Sequence, residues 1–190
     1  ESDEGTPNYK AWSARGADAL VVGSAKQTGP TQFEIRYKLF DIRKQQSLDG
    51  LLITASSDNL RQAAHKISDD IIFKLLGERG IFSTRLSYVI KDGNRYRLVI
   101  SDADGQNIRN ALNSAEPIIS PSWSPDGKKV AYVSFEDRKP VVYVHELATG
   151  RRVSLSNQKG NNSAPAWSPN GREIAFVSDR DGNNEAYLMN

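Results

Sequence analysis

One stretch of this chain comes back a second time at a fixed distance. Pro121-Ser122-Trp123-Ser124-Pro125-Asp126-Gly127 returns as Pro165-Ala166-Trp167-Ser168-Pro169-Asn170-Gly171, 44 positions later. Ala131-Tyr132-Val133-Ser134 returns as Ala175-Phe176-Val177-Ser178, and Tyr143 as Tyr187, at the same spacing. Stepping back one period from Tyr132 and Tyr143 reaches Tyr88 and Val99, so the period runs through three copies. The complete copy carries four strand signals, Ile118–Ser124, Val130–Phe135, Val141–Glu146 and Arg152–Ser156. They are separated by Asp126-Gly127, by Asp137 to Pro140 and by Thr149-Gly150. Four short antiparallel strands in about 40–45 residues is the size of a propeller blade. A two-sheet sandwich also has regular turns, but nothing in it requires identity at a fixed offset.

The copies at the two ends are unequal. No Pro-x-Trp-Ser-Pro precedes Tyr88, so the first blade lacks an inner strand, and the last copy stops after its third strand. The 190 residues therefore hold about two and a half blades, whereas a propeller closes with roughly four to eight. On this reading the chain is a piece of a longer protein. Its unclosed blades leave strand edges and apolar faces exposed, which predicts self-association or poor solubility.

Residues 1–80 follow a different pattern and read as a small mixed α/β domain ahead of the incomplete propeller of residues 81–190. Thr6 as cap and Pro7 in the first turn predict a short helix through Tyr9 and Trp12, ended by Gly16. Leu20 to Gly23 reads as a short buried strand. Phe33, Ile35, Tyr37 and Leu39 alternate with Glu34, Arg36 and Lys38, a strand with one wet face, and Leu48 to Ala55 returns beside it. From Leu60 the period becomes helical, with Leu60, Ala64, Ile67, Ile71 and Leu75 as one stripe, Ser57 or Asp58 as cap and Gly77 as stop. The thin sheet and the opening helix predict that a strand and a helix precede this segment.

Most catalytic chemistry is excluded by what the chain lacks. With no cysteine there is no disulfide, thiolate metal site or cysteine nucleophile. There is no Gly-x-Ser-x-Gly elbow, no phosphate loop and no dinucleotide fingerprint. His145-Glu146 would begin a zinc-protease pair, but Thr149 stands at the second ligand position. His65 reads as a partly exposed helix residue. Asp102-Ala103-Asp104-Gly105, Asp126-Gly127 and Asp179-Arg180-Asp181-Gly182 resemble calcium loops only until the bidentate glutamate is sought, and Asp-Gly is what tight turns require. No catalytic residue, cofactor or metal is therefore assigned. A net charge of +2 without a dense basic cluster argues against nucleic acid, and no apolar run is long enough to span a membrane. Trp123 and Trp167 read as packing between neighbouring blades.

The repeat resembles the β-propeller repeat of the TolB family. In isolation it is shared more widely, including with propellers of prolyl-oligopeptidase-type serine peptidases, and that alternative stays open. The run Trp12-Ser13-Ala14-Arg15-Gly16-Ala17-Asp18-Ala19-Leu20-Val21-Val22-Gly23-Ser24 is similar to the amino-terminal domain of the same family, and Tyr37-Lys38-Leu39-Phe40-Asp41-Ile42 and Arg85-Leu86-Ser87-Tyr88-Val89 resemble the family too. The resemblance implies an α/β domain followed by a six-bladed propeller, in the periplasm, with no enzymatic activity. It implies the Tol–Pal cell-envelope system as context, with binding of the lipoprotein Pal, coupling to TolA through the mature amino terminus, and passage of colicin translocation segments. The role implied is outer-membrane integrity and cell division.

The loops that lead into inner strands surround the mouth of a propeller, where partners dock. Glu116 and Pro117, and Asn161, Asn162, Ser163 and Ala164, are the protein-binding candidates. Residues 161–164 match the family's Pal-contacting loop by position. Amides and a small alanine permit close approach and supply hydrogen bonds.

Overall fold

A computed structural model of the chain describes residues 5–190, which divide after Thr84 into two compact units.

In the first unit, α1 (Tyr9–Ala14) is capped by Asn8, whose Oδ1 accepts from the Ala11 N–H at 3.1 Å. The expected cap, Thr6, lies too early. Asn8 has the short acceptor that reaches the third helical N–H, and Pro7 stands before the cap. Strands β1 (Ala19–Gln27), β2 (Gln32–Asp41) and β3 (Gln46–Ser56) form an antiparallel meander in that order. The first is nine residues long and largely exposed, not the short buried strand expected over Leu20 to Gly23. At Gly23, opposite Tyr37, a Cβ would come within 2.7 Å of the Arg36 carbonyl, so only glycine allows this pairing.

Strand β2 keeps the alternation read from sequence, with Tyr37 and Leu39 buried on one side. Phe40 is buried on the other side and meets Tyr9 edge-on at 6.3 Å, so this end of the sheet is covered on both faces. Helix α2 (Leu60–Leu76) ends on Gly77, in the left-handed region at φ 73° with its N–H on the Phe73 carbonyl. Its entry is a 3₁₀ turn, Ser57–Asn59, so neither Ser57 nor Asp58 is the cap.

The stripe facing the sheet is also shifted from the one expected. Ala63 is buried, whereas Ala64 and Leu75 are exposed. The Tyr37 hydroxyl donates to Asp70, and Lys74 lies 3.2 Å from Asp49. Ala63, Ile67, Asp70 and Lys74 thus share one helical face. Two of its four positions are charged, which hides it from an apolar count.

Past the helix, Asp69 accepts from the N–H groups of Phe82 (2.7 Å) and Ser83 (3.0 Å) and from the Ser83 hydroxyl. Burial raises this carboxyl, but the bonds from Ser83 and Phe82 outweigh it and hold the group below the usual carboxylate range.

The second unit is three antiparallel sheets in chain order. The first is β4 (Arg85–Asp92), β5 (Arg95–Asp102) and β6 (Arg109–Ser114). The second, of four strands, is β7 (Ile118–Trp123), β8 (Lys129–Ser134), β9 (Val141–Glu146) and β10 (Arg152–Ser156). The third is β11 (Asn162–Trp167), β12 (Ile174–Ser178) and β13 (Glu185–Met189). The strands of the complete copy fall within one residue of the positions read from the repeat. A small helix-bearing domain followed by propeller blades is the fold that the sequence predicted.

Strand β8 is buried along almost its whole length, because its sheet is packed on both faces. Val130 and Tyr132 join Leu98, Ile100, Ile118, Val141 and Tyr143 in one core, while Val133 joins Val142 and Phe176 in another. Trp123 packs on the first core under the Arg85 guanidinium, 4.8 Å above its ring. Trp167 donates its Nε1–H to the Ser122 carbonyl of the preceding sheet at 3.2 Å. Both tryptophans thus do the packing expected of them.

Two local devices recur with the period. Ser120 and Ala164 have positive φ (53° and 49°), each before a proline and each at a bulge in the inner strand. Bulges and prolines on an open strand edge block pairing with another chain. The second device is the turn after tryptophan. Ser124 Oγ donates to Asp126 Oδ1 at 2.7 Å, and that oxygen accepts the Lys128 N–H at 3.0 Å. Ser168 and the Arg172 N–H meet Asn170 Oδ1 at the same two distances. An amide replaces the carboxylate without change, so the negative charge is not what this turn requires. The Ser124 hydroxyl and then the Lys128 N–H lower the Asp126 pKa. Asp126→Asn is expected to leave the urea midpoint at neutral pH essentially unchanged.

Candidate functional site

Glu116 and Pro117 lie in the loop that enters β7, Asn161 in the loop that enters β11, and Asn162, Ser163 and Ala164 are the first three residues of β11 itself. In the first, the Glu116 N–H donates to Ser114 Oγ at 3.0 Å, and the Pro117 carbonyl accepts from the Phe135 N–H at 3.1 Å. Glu116 is exposed and Pro117 half-buried. The loop is held by its backbone while the Glu116 side chain reaches solvent.

The second loop is tied more tightly. Asn161 donates its backbone N–H to Asp179 Oδ1 at 2.6 Å and its Nδ2–H to Oδ2 at 2.7 Å, so one carboxylate clamps main chain and side chain together. Gly160, at φ 78°, approaches that carboxylate so closely that a Cβ would overlap it. Asn161 and Ala164 are exposed and Ser163 is half-buried.

Asn162 is different. It is fully buried, and its Oδ1 accepts from the hydroxyls of Ser156 (2.9 Å) and Ser178 (3.1 Å), both also fully buried. The two hydrogens on its Nδ2 are shared among the carbonyls of Gln158 (3.1 Å), Gly160 (3.4 Å) and Pro140 (3.4 Å). One amide therefore joins β10 of the four-stranded sheet to β12 of the next. Asn162 enters the site as the residue that positions the loop, with no polar atom left for a partner. The repeat carried a signal for this: one period earlier stands Ile118, a core residue at 1% exposure.

What this arrangement can do is present a shaped, rigid, polar rim. Exposed Asn161 and Ala164 sit on backbone whose conformation is fixed from below, so binding costs little loop ordering. His145 lies in the core of the four-stranded sheet at 3% exposure, its Nδ1 without a hydrogen-bond partner. Burial, then the Arg152 charge, lowers its pKa from 6.5. The unfolded chain takes up this proton near pH 6.5 and the folded chain only at lower pH. Stability from neutral His145 is therefore complete above that pH and falls as the pH drops below it. His145→Met, the residue one period later being Met189, is expected to flatten this loss, read from urea midpoints between about pH 7.5 and 5.5.

Comparison with known proteins places both units in one context. A family model described as the TolB beta propeller domain matches residues 73–190, and one for the TolB amino-terminal domain matches residues 1–48. The crystal structure of TolB from Acinetobacter baumannii is 39% identical, with a TM-score of 0.91, over 100% of this chain. This chain spans 48% of that protein's chain. A putative TolB from Agrobacterium tumefaciens is 17% identical over 88% of this chain and 58% of its own, with a TM-score of 0.46.

Proposed function

The chain belongs to the TolB family, and on that premise we propose that it is a non-enzymatic interaction scaffold of the Tol–Pal cell-envelope system. In this reading it works in the periplasm, binds the lipoprotein Pal, couples to TolA and is the route taken by colicin translocation segments. It thereby supports outer-membrane integrity and cell division. One observation carries the reading: models of both TolB domains match, in order, along this one chain. The amino-terminal match favours the scaffold over the peptidase propeller. Among the described residues, no helix is long and apolar enough to cross a membrane.

The surface proposed for Pal is Glu116 and Pro117 with Asn161, Ser163 and Ala164, held in shape by Asn162. A photo-crosslinking side chain at exposed Ala164 tests it. Efficient crosslinking to the soluble domain of Pal is the expected result. Crosslinking no stronger than from a substituted Lys10 in α1 would count against the site.

Self-association is part of the same reading. Strand β13 pairs with β12 alone among the described residues, and Leu188 on it is 70% exposed. Light scattering at micromolar concentration is expected to report species larger than a monomer. A sharp monomer peak is the contrary result.

A further inference from the structure

A cavity of about 510 Å³ opens on the first sheet of the propeller unit, lined by Asp92, Arg95, Arg97, Asn113, Ser114 and Ala115. Arg95 and Arg97 are two apart on β5 and therefore project from the same face of the sheet. Asn113 pairs with Arg97 across the β5–β6 ladder, which brings its side chain to that face too.

The hydrogen bonds around the cavity assign a role to each of its neutral polar groups. Asn113 Oδ1 already accepts from Asn110 Nδ2 at 2.7 Å, leaving the Asn113 NH₂ as a donor. Ser114 pairs with Tyr96, so its side chain leaves from the other face, where its Oγ accepts the Glu116 N–H and holds the following loop. Among the described residues neither guanidinium makes an ion pair. Arg97 is half-buried, which strengthens its field relative to a solvated arginine. Against these donors stands one acceptor, the exposed Asp92 carboxylate.

We propose that this cavity is a carboxylate-binding subsite, in which Arg95 and Arg97 grip the anion and the Asn113 amide completes its hydrogen bonds. Two arginines against one aspartate leave a single positive charge, which matches a carboxylate better than a phosphate dianion. Planar guanidinium forks fit the two oxygens of a carboxylate. Ser114 and Ala115 begin the loop that carries Glu116 and Pro117, so the subsite adjoins the proposed interface. The donor set stands on these residues alone. That the carboxylate comes from an aspartate or glutamate of a partner protein rests on the function proposed above.

The test is a titration of the isotope-labelled full chain, followed by NMR at backbone and arginine Nε–H signals. The probes are acetyl-Gly-Glu-Gly-amide, its glutamine counterpart and inorganic phosphate. The glutamate peptide is expected to give saturable shifts at Arg95, Arg97 and Asn113 with a Kd of about millimolar. The glutamine peptide and phosphate are expected to bind at least about fivefold more weakly. Arg97→Gln should weaken the glutamate peptide about tenfold, and so should Arg95→Gln, at an exposed position where the fold is not at risk. No shifts at these residues, equal binding of the glutamine peptide or phosphate, or indifference to both substitutions would each overturn the proposal. None of these readouts uses Pal, so a silent cavity beside intact Pal binding removes the subsite and leaves the scaffold reading in place.

Discussion

Replacing Asn162 by alanine is expected to lower the unfolding free energy by about 3–5 kcal/mol. In a fully buried setting the side chain accepts from Ser156 and Ser178 and shares its two amide hydrogens among three main-chain carbonyls. A typical hydrogen bond contributes only about 1 kcal/mol net, but a buried group stripped of its partner costs about 1–3 kcal/mol. Alanine strips two buried hydroxyls of their acceptor and the Gln158 and Gly160 carbonyls of this donor, while the Pro140 carbonyl keeps the Asn162 backbone N–H. Asn162→Asp is also expected to destabilise, because it keeps the acceptor while turning the donor into a second acceptor facing those carbonyls. Urea denaturation measures both. Hydrogen exchange should place the lost protection in β11 to β13, since blade-like repeats contact mainly their neighbours and open in local units. A loss below about 1 kcal/mol would mean that the amide is not the tie between the two sheets.

Phe176→Ala is the second large effect, again about 3–5 kcal/mol. Phe176 is 1% exposed, packs with Val133 and Val142 of the four-stranded sheet, and stacks on Tyr187 with ring centroids 6.0 Å apart. Arg180 covers the Tyr187 ring at 3.7 Å, and the Tyr187 hydroxyl donates to Asp181 at 2.5 Å. Removing the phenyl ring leaves a cavity under an arrangement that cannot collapse into it without breaking those contacts. One period earlier Tyr132 stacks on Tyr143 at the same distance, with burial pushing the Tyr132 hydroxyl up to about 12. Phe176→Tyr places on the third sheet the residue that the second already carries. It is expected to cost far less than alanine in the same urea series.

These two residues illustrate where the sequence could be read and where it could not. Tyr132 and Phe176 are visible because the repeat conserves an aromatic at one offset within the chain itself, and identity at fixed spacing survives any uncertainty about strand ends. The turn from Ser124 to Lys128 was legible for the same reason. Asn162 was legible as a loop residue and illegible as a buried one. In Gly160-Asn161-Asn162-Ser163 an asparagine reads as turn chemistry, and only its alignment with Ile118 points inward.

The amino-terminal half has no repeat to lean on. There the α2 face was misread by an apolar count because Asp70 and Lys74 make the contacts, through partners on β2 and β3 that are distant in sequence. The α1 cap was misplaced by two residues, since Thr6 and Asn8 are both acceptable caps and only the path of the chain decides between them. Arg95 and Arg97 carry no signal in the sequence, because two charges two apart look like an ordinary wet strand face. Their significance depends on Asn110 having already occupied the acceptor of Asn113 across the ladder, which no local pattern displays.

The central claim is that this chain is a Pal-binding scaffold, and calorimetry addresses it without intermediaries. Titrating the soluble domain of Pal into the chain is predicted to give saturable heat with a Kd of about micromolar or tighter. Absence of saturable heat with both proteins at about 100 μM, on a chain that melts cooperatively, would contradict it.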